Sequence, residues 1–308
     1  MNLLTHISNR FEKINKRKRE ERALKSADAR GTKTEYLLSR ETPFAVTEAF
    51  RNLKAALSVS VPKKDEGLAI TITSAYPEDG KTTVTTNLAV MFAQSNAKVI
   101  LVDADIRKGR VAKYFKQRSA PGLSDFLSGQ ISLEEAIRKS DINEHLSFIA
   151  CGTHSPRPYE LLESEAMNNL LTKLKAEYDY IIIDTPPIML ISDALALTHI
   201  TDGTVLVCRH QVSYVSDIAR ALNTLQFAKA NVLGVVVNDF DAPTTKKYYS
   251  NYKNRYYYSG NYTYGSTNPE EVAETAQNQK DLAPADSKTV TLQKGKKVVV
   301  KRAFLNKK

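Results

Sequence analysis

The sequence has only two cysteines in 308 residues, Cys151 and Cys208. They stand far apart, each beside an apolar run, with no metal-ligand spacing. A disulfide framework is excluded, and both read as packing residues suited to a reducing cytosol. Long apolar runs are missing too: none approaches the roughly 18 residues that suggest a membrane span. The first residues form no continuous apolar stretch, so no signal peptide is expected. Five histidines are scattered singly and suggest no site. No acidic residue occurs between Asp241 and Glu270, and Lys247–Gly265 holds no aliphatic side chain. A stretch without aliphatic residues cannot supply a core element.

What is present bounds the rest. Apolar residues make up 42% of the chain, enough for one sizeable α/β domain with tails. The net charge of +10 fits nucleic acid, a membrane surface or acidic partners, and it is concentrated at the two ends. Residues 1–41 read as a basic arm. Leu3, Leu4, Ile7, Phe11 and Ile14 recur at helical spacing, followed by the run Lys16–Arg19. That pattern suits an amphipathic helix on an anionic membrane or a partner helix, or a solvated basic arm.

From residue 42 to 242 the pattern is that of one domain. Thr42–Ser60 is a helix with Phe44, Phe50, Leu53 and Leu57 on one face and Glu48, Arg51 and Lys54 on another. Strands are expected near 68–74, 98–103, 146–150, 179–184, 203–208 and 232–238. Helical patterns lie near 81–95, 132–139, 159–176, 191–199 and 213–228, with a short helical insertion at Gly122–Gly129. Such alternation predicts an α/β fold: a mostly parallel sheet, helices on both faces, ligands at the carboxyl ends of the strands.

Within that frame Ser74–Thr83 reads SAYPEDGKTT, between an apolar strand and a helix. Strand, tight loop and helix are the setting of a phosphate-binding P-loop. Glu78, Asp79, Gly80, Lys81, Thr82 and Thr83 are the candidate nucleotide-binding residues. Loop amides and the helix N-terminus cradle phosphates, Lys81 reaches the β/γ-phosphates, and Thr82 holds Mg²⁺. The first glycine of the motif is replaced by Ala75. Two further strands end in acids: Val99–Arg107 delivers Asp103 and Asp105, and Tyr178–Pro187 delivers Asp184. Thr82, Asp103, Asp105 and Asp184 are the candidate Mg²⁺ ligands, and Lys81 with the three acids forms the candidate catalytic set. Asn238, at the end of the last strand, is a candidate contact for the base of ATP.

After Asn238 the composition changes. Residues 243–265 carry eight tyrosines, Tyr248, Tyr249, Tyr252, Tyr256, Tyr257, Tyr258, Tyr262 and Tyr264. Residues 266–308 are polar with a basic end and are expected to be disordered.

These motifs together resemble the bacterial tyrosine kinases of the capsule and exopolysaccharide type, over about residues 42–264. SAYPEDGKTT is similar to that family's Walker A motif, VILVDADIR to its second aspartate motif, and YIIIDTPP followed by Asp193-Ala194 to its Walker B. Glu48–Lys54 looks like the family's E-x-x-R-x-x-R oligomer helix, with Lys54 in place of the final arginine. Arg157 stands where a family segment usually has asparagine. The resemblance implies a P-loop NTPase fold and an ATP- and Mg²⁺-dependent tyrosine kinase. Such a kinase autophosphorylates its tail tyrosines in trans and regulates polysaccharide synthesis and export. It also implies a homo-oligomeric ring, a tyrosine phosphatase as partner, and recruitment to the inner face of the membrane by an activator's cytoplasmic tail. The proton acceptor is Asp103 or Asp105.

The alternative is a membrane-recruited ATPase switch of the MinD/ParA kind. That group carries a second lysine early in its P-loop, where this chain has Tyr76. A nucleic-acid-binding tail is a third reading, but it leaves the P-loop and acids unused, so no nucleic acid is expected.

Overall fold

The structure, a computed structural model, describes residues 36–61 and 66–240, with short strands at 290–291, 297–298 and 300–302. Helices are α1 (Phe44–Ser60), α2 (Lys81–Ala93), α3 (Val111–Tyr114), α4 (Leu123–Leu127), α5 (Leu133–Ala136), α6 (Pro158–Glu163), α7 (Glu165–Glu177), α8 (Asp193–Leu197) and α9 (Val215–Phe227). Strands are β1 (Leu68–Ser74), β2 (Val99–Asp103), β3 (Ile137–Lys139), β4 (Leu146–Ile149), β5 (Tyr180–Asp184), β6 (Gly203–Arg209), β7 (Val232–Asn238), β8 (Val290–Thr291), β9 (Lys297–Val298) and β10 (Val300–Arg302). The chain divides into two units, residues 1–240 with 299–308, and 241–298. In the second, β8 and β9 pair antiparallel. The tyrosine cluster and the N-terminal arm lie outside the described residues.

The first unit is built on a sheet ordered β10-β7-β6-β1-β5-β2-β4-β3. Its pairings are parallel except that of β3 with β4. Side chains alternate between the faces of a strand, and here both faces are dry. Ile70, Ile72, Leu101 and Ile182 join one core cluster with Phe50, Leu88 and Phe92 from α1 and α2. Ala69, Ile100, Val102, Ile181 and Ile183 join the other with Leu170 and Leu174 from α7. Burial on both faces explains why β1, β2 and β5 read as unbroken apolar runs. It also sets β1, β2 and β5 side by side, so that Ser74, Asp103 and Asp184 end on one edge.

α2 lies in the interior: ten of its thirteen residues are buried. Its polar residues are satisfied locally. Thr85 and Thr86 hydroxyls donate to the carbonyls of Lys81 and Thr82, at 2.7 Å each. Asn87 Nδ2 donates to Thr83 O at 3.0 Å and to Tyr36 O at 2.7 Å, and Asn87 Oδ1 accepts from Leu38 N at 2.7 Å. Leu37 and Leu38 are buried in the same core cluster, so packing begins before Thr42.

Two expected helices differ. The 132–139 pattern divides: the Ser132–Glu135 capping box starts α5, which ends at Ala136, and Ile137–Lys139 continues as β3. Edge pairing with β4 outweighs helix propensity for these three residues. The 159–176 pattern is two helices, because Ser164 takes an extended conformation and its hydroxyl caps Met167 N at 3.3 Å.

Candidate active site

The loop between β1 and α2 owes its shape to two residues in the left-handed region, Glu78 at φ 69° and Gly80 at φ 89°. Such turns aim successive amide groups into the concavity, the geometry of an anion nest. Ala75 is buried and is not among the positive-φ residues, so its methyl group costs the backbone nothing. That accounts for the missing first glycine. Gly80 has no such freedom: a Cβ there would lie 1.9 Å from Asn238 Nδ2. Asn238 Nδ2 donates to Asp79 O at 3.1 Å, which ties β7 to the loop. Asn238 Oδ1 is buried and accepts no hydrogen bond among the described residues. A buried acceptor left open this way invites a ligand donor.

Asp79 turns inward instead. Its carboxylate accepts from Ser213 Oγ at 2.7 Å and from Tyr76 N at 3.2 Å. Burial raises its pKa, against the lowering effect of those hydrogen bonds. Its side chain thus holds the loop, and its carbonyl accepts from Asn238. Thr83 also points away, its hydroxyl 2.7 Å from the buried Tyr114 hydroxyl. Burial pushes the Tyr114 phenol up to about 12.

Lys81 and the three acids converge at the end of the sheet. Lys81 Nζ lies 3.3 Å from Asp105 Oδ2 and 3.5 Å from Asp184 Oδ2. Thr82 Oγ1 donates to Asp184 Oδ2 at 2.7 Å, and Thr85 Oγ1 to Asp184 Oδ1 at 3.1 Å. Asp103 accepts two backbone amides, from Val111 at 2.9 Å and Asp105 at 3.3 Å. Asp105 Oδ1 accepts Lys108 N at 3.0 Å, leaving Oδ2 toward Lys81. The set therefore divides: Asp103 organises the loop after β2, while Asp105 and Asp184 face the lysine.

The electrostatics follow from three carboxylates and one cation in a buried space. Burial pulls the Lys81 ammonium down, but Asp184, Asp105 and Asp103 outweigh it and the net shift is upward. Burial, with the Asp184 charge added, raises Asp103 to about 8. Asp184 is raised mainly by burial, opposed by Lys81 and Thr82. Thus the ligand-free site holds protons that the unfolded chain releases. Unfolded Asp103 ionises near 3.8, folded Asp103 near 8. Between those values the folded state binds more protons, so stability falls as pH rises. Urea unfolding of the ligand-free protein is expected to show decreasing stability from about pH 5 to pH 8.5. A flat or rising profile would show that the cluster holds no such proton.

The donor chemistry fits a hard divalent cation: a hydroxyl and carboxylates, all oxygen. Among the described residues no three carboxylate, imidazole or thiolate groups form a ready-made cage. That suits Mg²⁺, which takes one or two protein ligands and completes its shell with phosphate and water.

Several contacts escaped sequence reasoning. Arg107 grips Asp193 through Nε at 2.7 Å and Nη2 at 3.2 Å, locking the loop after β2 to α8. The Tyr114–Thr83 and Ser213–Asp79 contacts are others. On α1, Arg51 pairs with Glu48 of its own helix and Lys54 Nζ reaches Ser95 Oγ at 2.5 Å. The expected oligomer contacts are thus engaged within the chain.

Fold and cluster define a nucleotide-binding P-loop ATPase domain, and a family model described as an AAA domain matches residues 69–233. The chain is 39% identical over 170 residues to the tyrosine-protein kinase YwqD of Bacillus subtilis, covering 55% of this chain and 71% of the relative. It is 35% identical over 192 residues to the tyrosine-protein kinase ptk of Acinetobacter johnsonii, covering 62% of this chain but 26% of ptk. The solved kinase domain of Escherichia coli tyrosine kinase ETK superposes with a TM-score of 0.60 at 30% identity, covering 68% of this chain and 86% of that one. The chain belongs to the bacterial tyrosine-protein kinase family. It spans about a quarter to a third of the length of several curated relatives. Among the described residues no helix is long and apolar enough to cross a membrane.

Proposed function

We propose that this chain is an ATP-dependent protein-tyrosine kinase that phosphorylates the C-terminal tyrosines of another copy and so regulates capsular or exopolysaccharide synthesis and export. The observation that carries this reading is the convergence of Lys81, Thr82, Asp105 and Asp184 at the mouth of the phosphate nest. Lys81 and the loop amides hold the β/γ-phosphates of ATP, and Asn238 Oδ1 accepts from the base. Thr82 and Asp184 would hold Mg²⁺, which would supply charge neutralisation on the phosphates. Asp105 stands in reach of an entering phenol and takes its proton as the phenolic oxygen bonds to the γ-phosphorus and the bond to ADP breaks. A phenol with a pKa near 10 needs such a base at neutral pH. Asp103, with both oxygens on backbone amides, positions Asp105.

The acceptors are the eight tyrosines from Tyr248 to Tyr264. Reading them as trans substrates follows from their distance along the chain from the P-loop edge. The family relationship supports a ring, a membrane activator's cytoplasmic tail as the switch, and a phosphatase that resets it. The test is incubation of the full chain with Mg·ATP, with and without an activator's cytoplasmic peptide, followed by phosphotyrosine detection. Phosphotyrosine on the chain, increased by the peptide, is expected. None under either condition would remove the kinase reading.

A further inference from the structure

The segment that leaves β2 carries charge the proposed reaction does not use. Between Asp105 and Asp125 there are six cations, Arg107, Lys108, Arg110, Lys113, Lys116 and Arg118, and no acid. The fold turns this segment into a surface. Val111, Ala112, Tyr114 and Phe115 are buried, and the basic residues between and beside them are exposed. Its ends are pinned to the site: Ala104 N donates to Asp184 O at 2.8 Å, Val111 N to Asp103 at 2.9 Å, and the Tyr114 hydroxyl meets Thr83 at 2.7 Å. The Arg110 charge is near enough to act on the Tyr114 phenol.

Arg107 is taken by Asp193. Lys108, Arg110, Lys113, Lys116 and Arg118 have no ion pair among the described residues. Five exposed cations, without an ion pair among the described residues, thus follow directly on the strand end that carries Asp103 and Asp105. An exposed run of cations attracts dianions.

We propose that this basic rim, Lys108 to Arg118, holds phosphotyrosines already made on the tail of a second copy while the next tyrosine enters the pocket. The inference rests on the kinase reading above. Charge complementarity selects the occupant. The unmodified segment 246–265 has four cations and no acid, so the rim repels it. Each phosphate adds about −1.5 to −2 charges, so about three convert the segment to net anion. The same segment thereby switches from repelled to bound, and arginine and lysine are the side chains that pair with phosphate. A tail held this way leaves slowly, so phosphorylation of the remaining tyrosines becomes processive.

The test is binding, so it does not depend on turnover. Synthetic peptides of residues 246–265, unmodified or phosphorylated on Tyr256, Tyr257 and Tyr258, are titrated against the full chain carrying Lys81→Met, followed by fluorescence anisotropy. The phosphopeptide is expected to bind at least tenfold tighter, with the advantage shrinking as salt is raised. Lys113→Glu/Lys116→Glu is expected to erase that advantage while the thermal midpoint and nucleotide binding stay unchanged. If that pair fails to fold, Lys113→Gln/Lys116→Gln is expected to cut the advantage at least threefold. Equal binding of the two peptides, or an advantage that survives these substitutions, overturns the proposal. Phosphatidylserine vesicles that lose binding on the same substitutions, while the two peptides bind alike, would assign the rim to lipid and overturn it too. Phosphopeptide binding to the variant, combined with no phosphotyrosine on the parent chain incubated with Mg·ATP and the activator peptide, would sustain the rim and remove only the kinase reading.

Discussion

Replacing Lys81 with methionine is expected to lower tyrosine phosphorylation by at least a hundred- to a thousandfold, the usual loss when one fixed charge is removed from a developing anion. The fold survives for a reason the site itself supplies. Lys81 pairs with Asp105 and Asp184, and removing one partner of a buried ion pair costs about 3–5 kcal/mol. Here the carboxylates have another outlet, because burial already biases Asp103 and Asp184 toward the protonated form. Losing the cation raises them further, and proton uptake takes the place of the ion pair. The variant is therefore expected to be nearly as stable as the parent at pH 6 and clearly weaker at pH 8.5. Mixed with an active chain lacking residues 243–308, the variant is expected to acquire phosphotyrosine. A folded variant with full activity would remove Lys81 from the mechanism, and an unmodified variant in the mixture would exclude transfer in trans.

The second large effect is expected at Gly80. Alanine there must hold φ near 89°, which costs about 1–2 kcal/mol for a residue with a Cβ, and its methyl lands on Asn238 Nδ2. Asn238 then gives up Asp79 O, and the loop loses its tie to β7. Nucleotide affinity is expected to fall at least tenfold, with a lower thermal midpoint. The cause is separable by a double-mutant cycle. Asn238→Ala clears the space, so adding Gly80→Ala to it is expected to cost only the backbone term. Additive losses would mean that the two side chains do not collide, and unchanged nucleotide binding in Gly80→Ala would mean that the loop tolerates a Cβ.

Much of this fold is legible in sequence for one physical reason. Strands β1, β2, β5 and β6 are covered on both faces, so each is written as an apolar run bounded by polar turns. β3 has one neighbour and three residues, Ile-Arg-Lys, which leaves no pattern to detect. The Ser164 break is hidden because a capping serine also fits a helical polar face. At the site, the loop and the acids are legible because each motif is local. Arg107–Asp193 and Ser213–Asp79 are not, since 86 and 134 residues separate the partners and neither pair has a spacing to recognise. Asp103 and Asp105 look equivalent in sequence. The backbone amides on both oxygens of Asp103, against the Lys81 contact of Asp105 Oδ2, tell them apart.

The grip of Asn87 on Tyr36 and Leu38 bears on how this protein can be trimmed. The helix that opens at the phosphate nest is lined on one side by the stretch ahead of Thr42. A shortened chain beginning at Thr42 would keep every motif and still wet the middle of that helix. It would open Asn87 and the apolar surface beneath Leu37 and Leu38 to water. The first place to feel a cut at the chain's beginning would be the turn of helix that carries Thr83 and, one residue before it, Thr82.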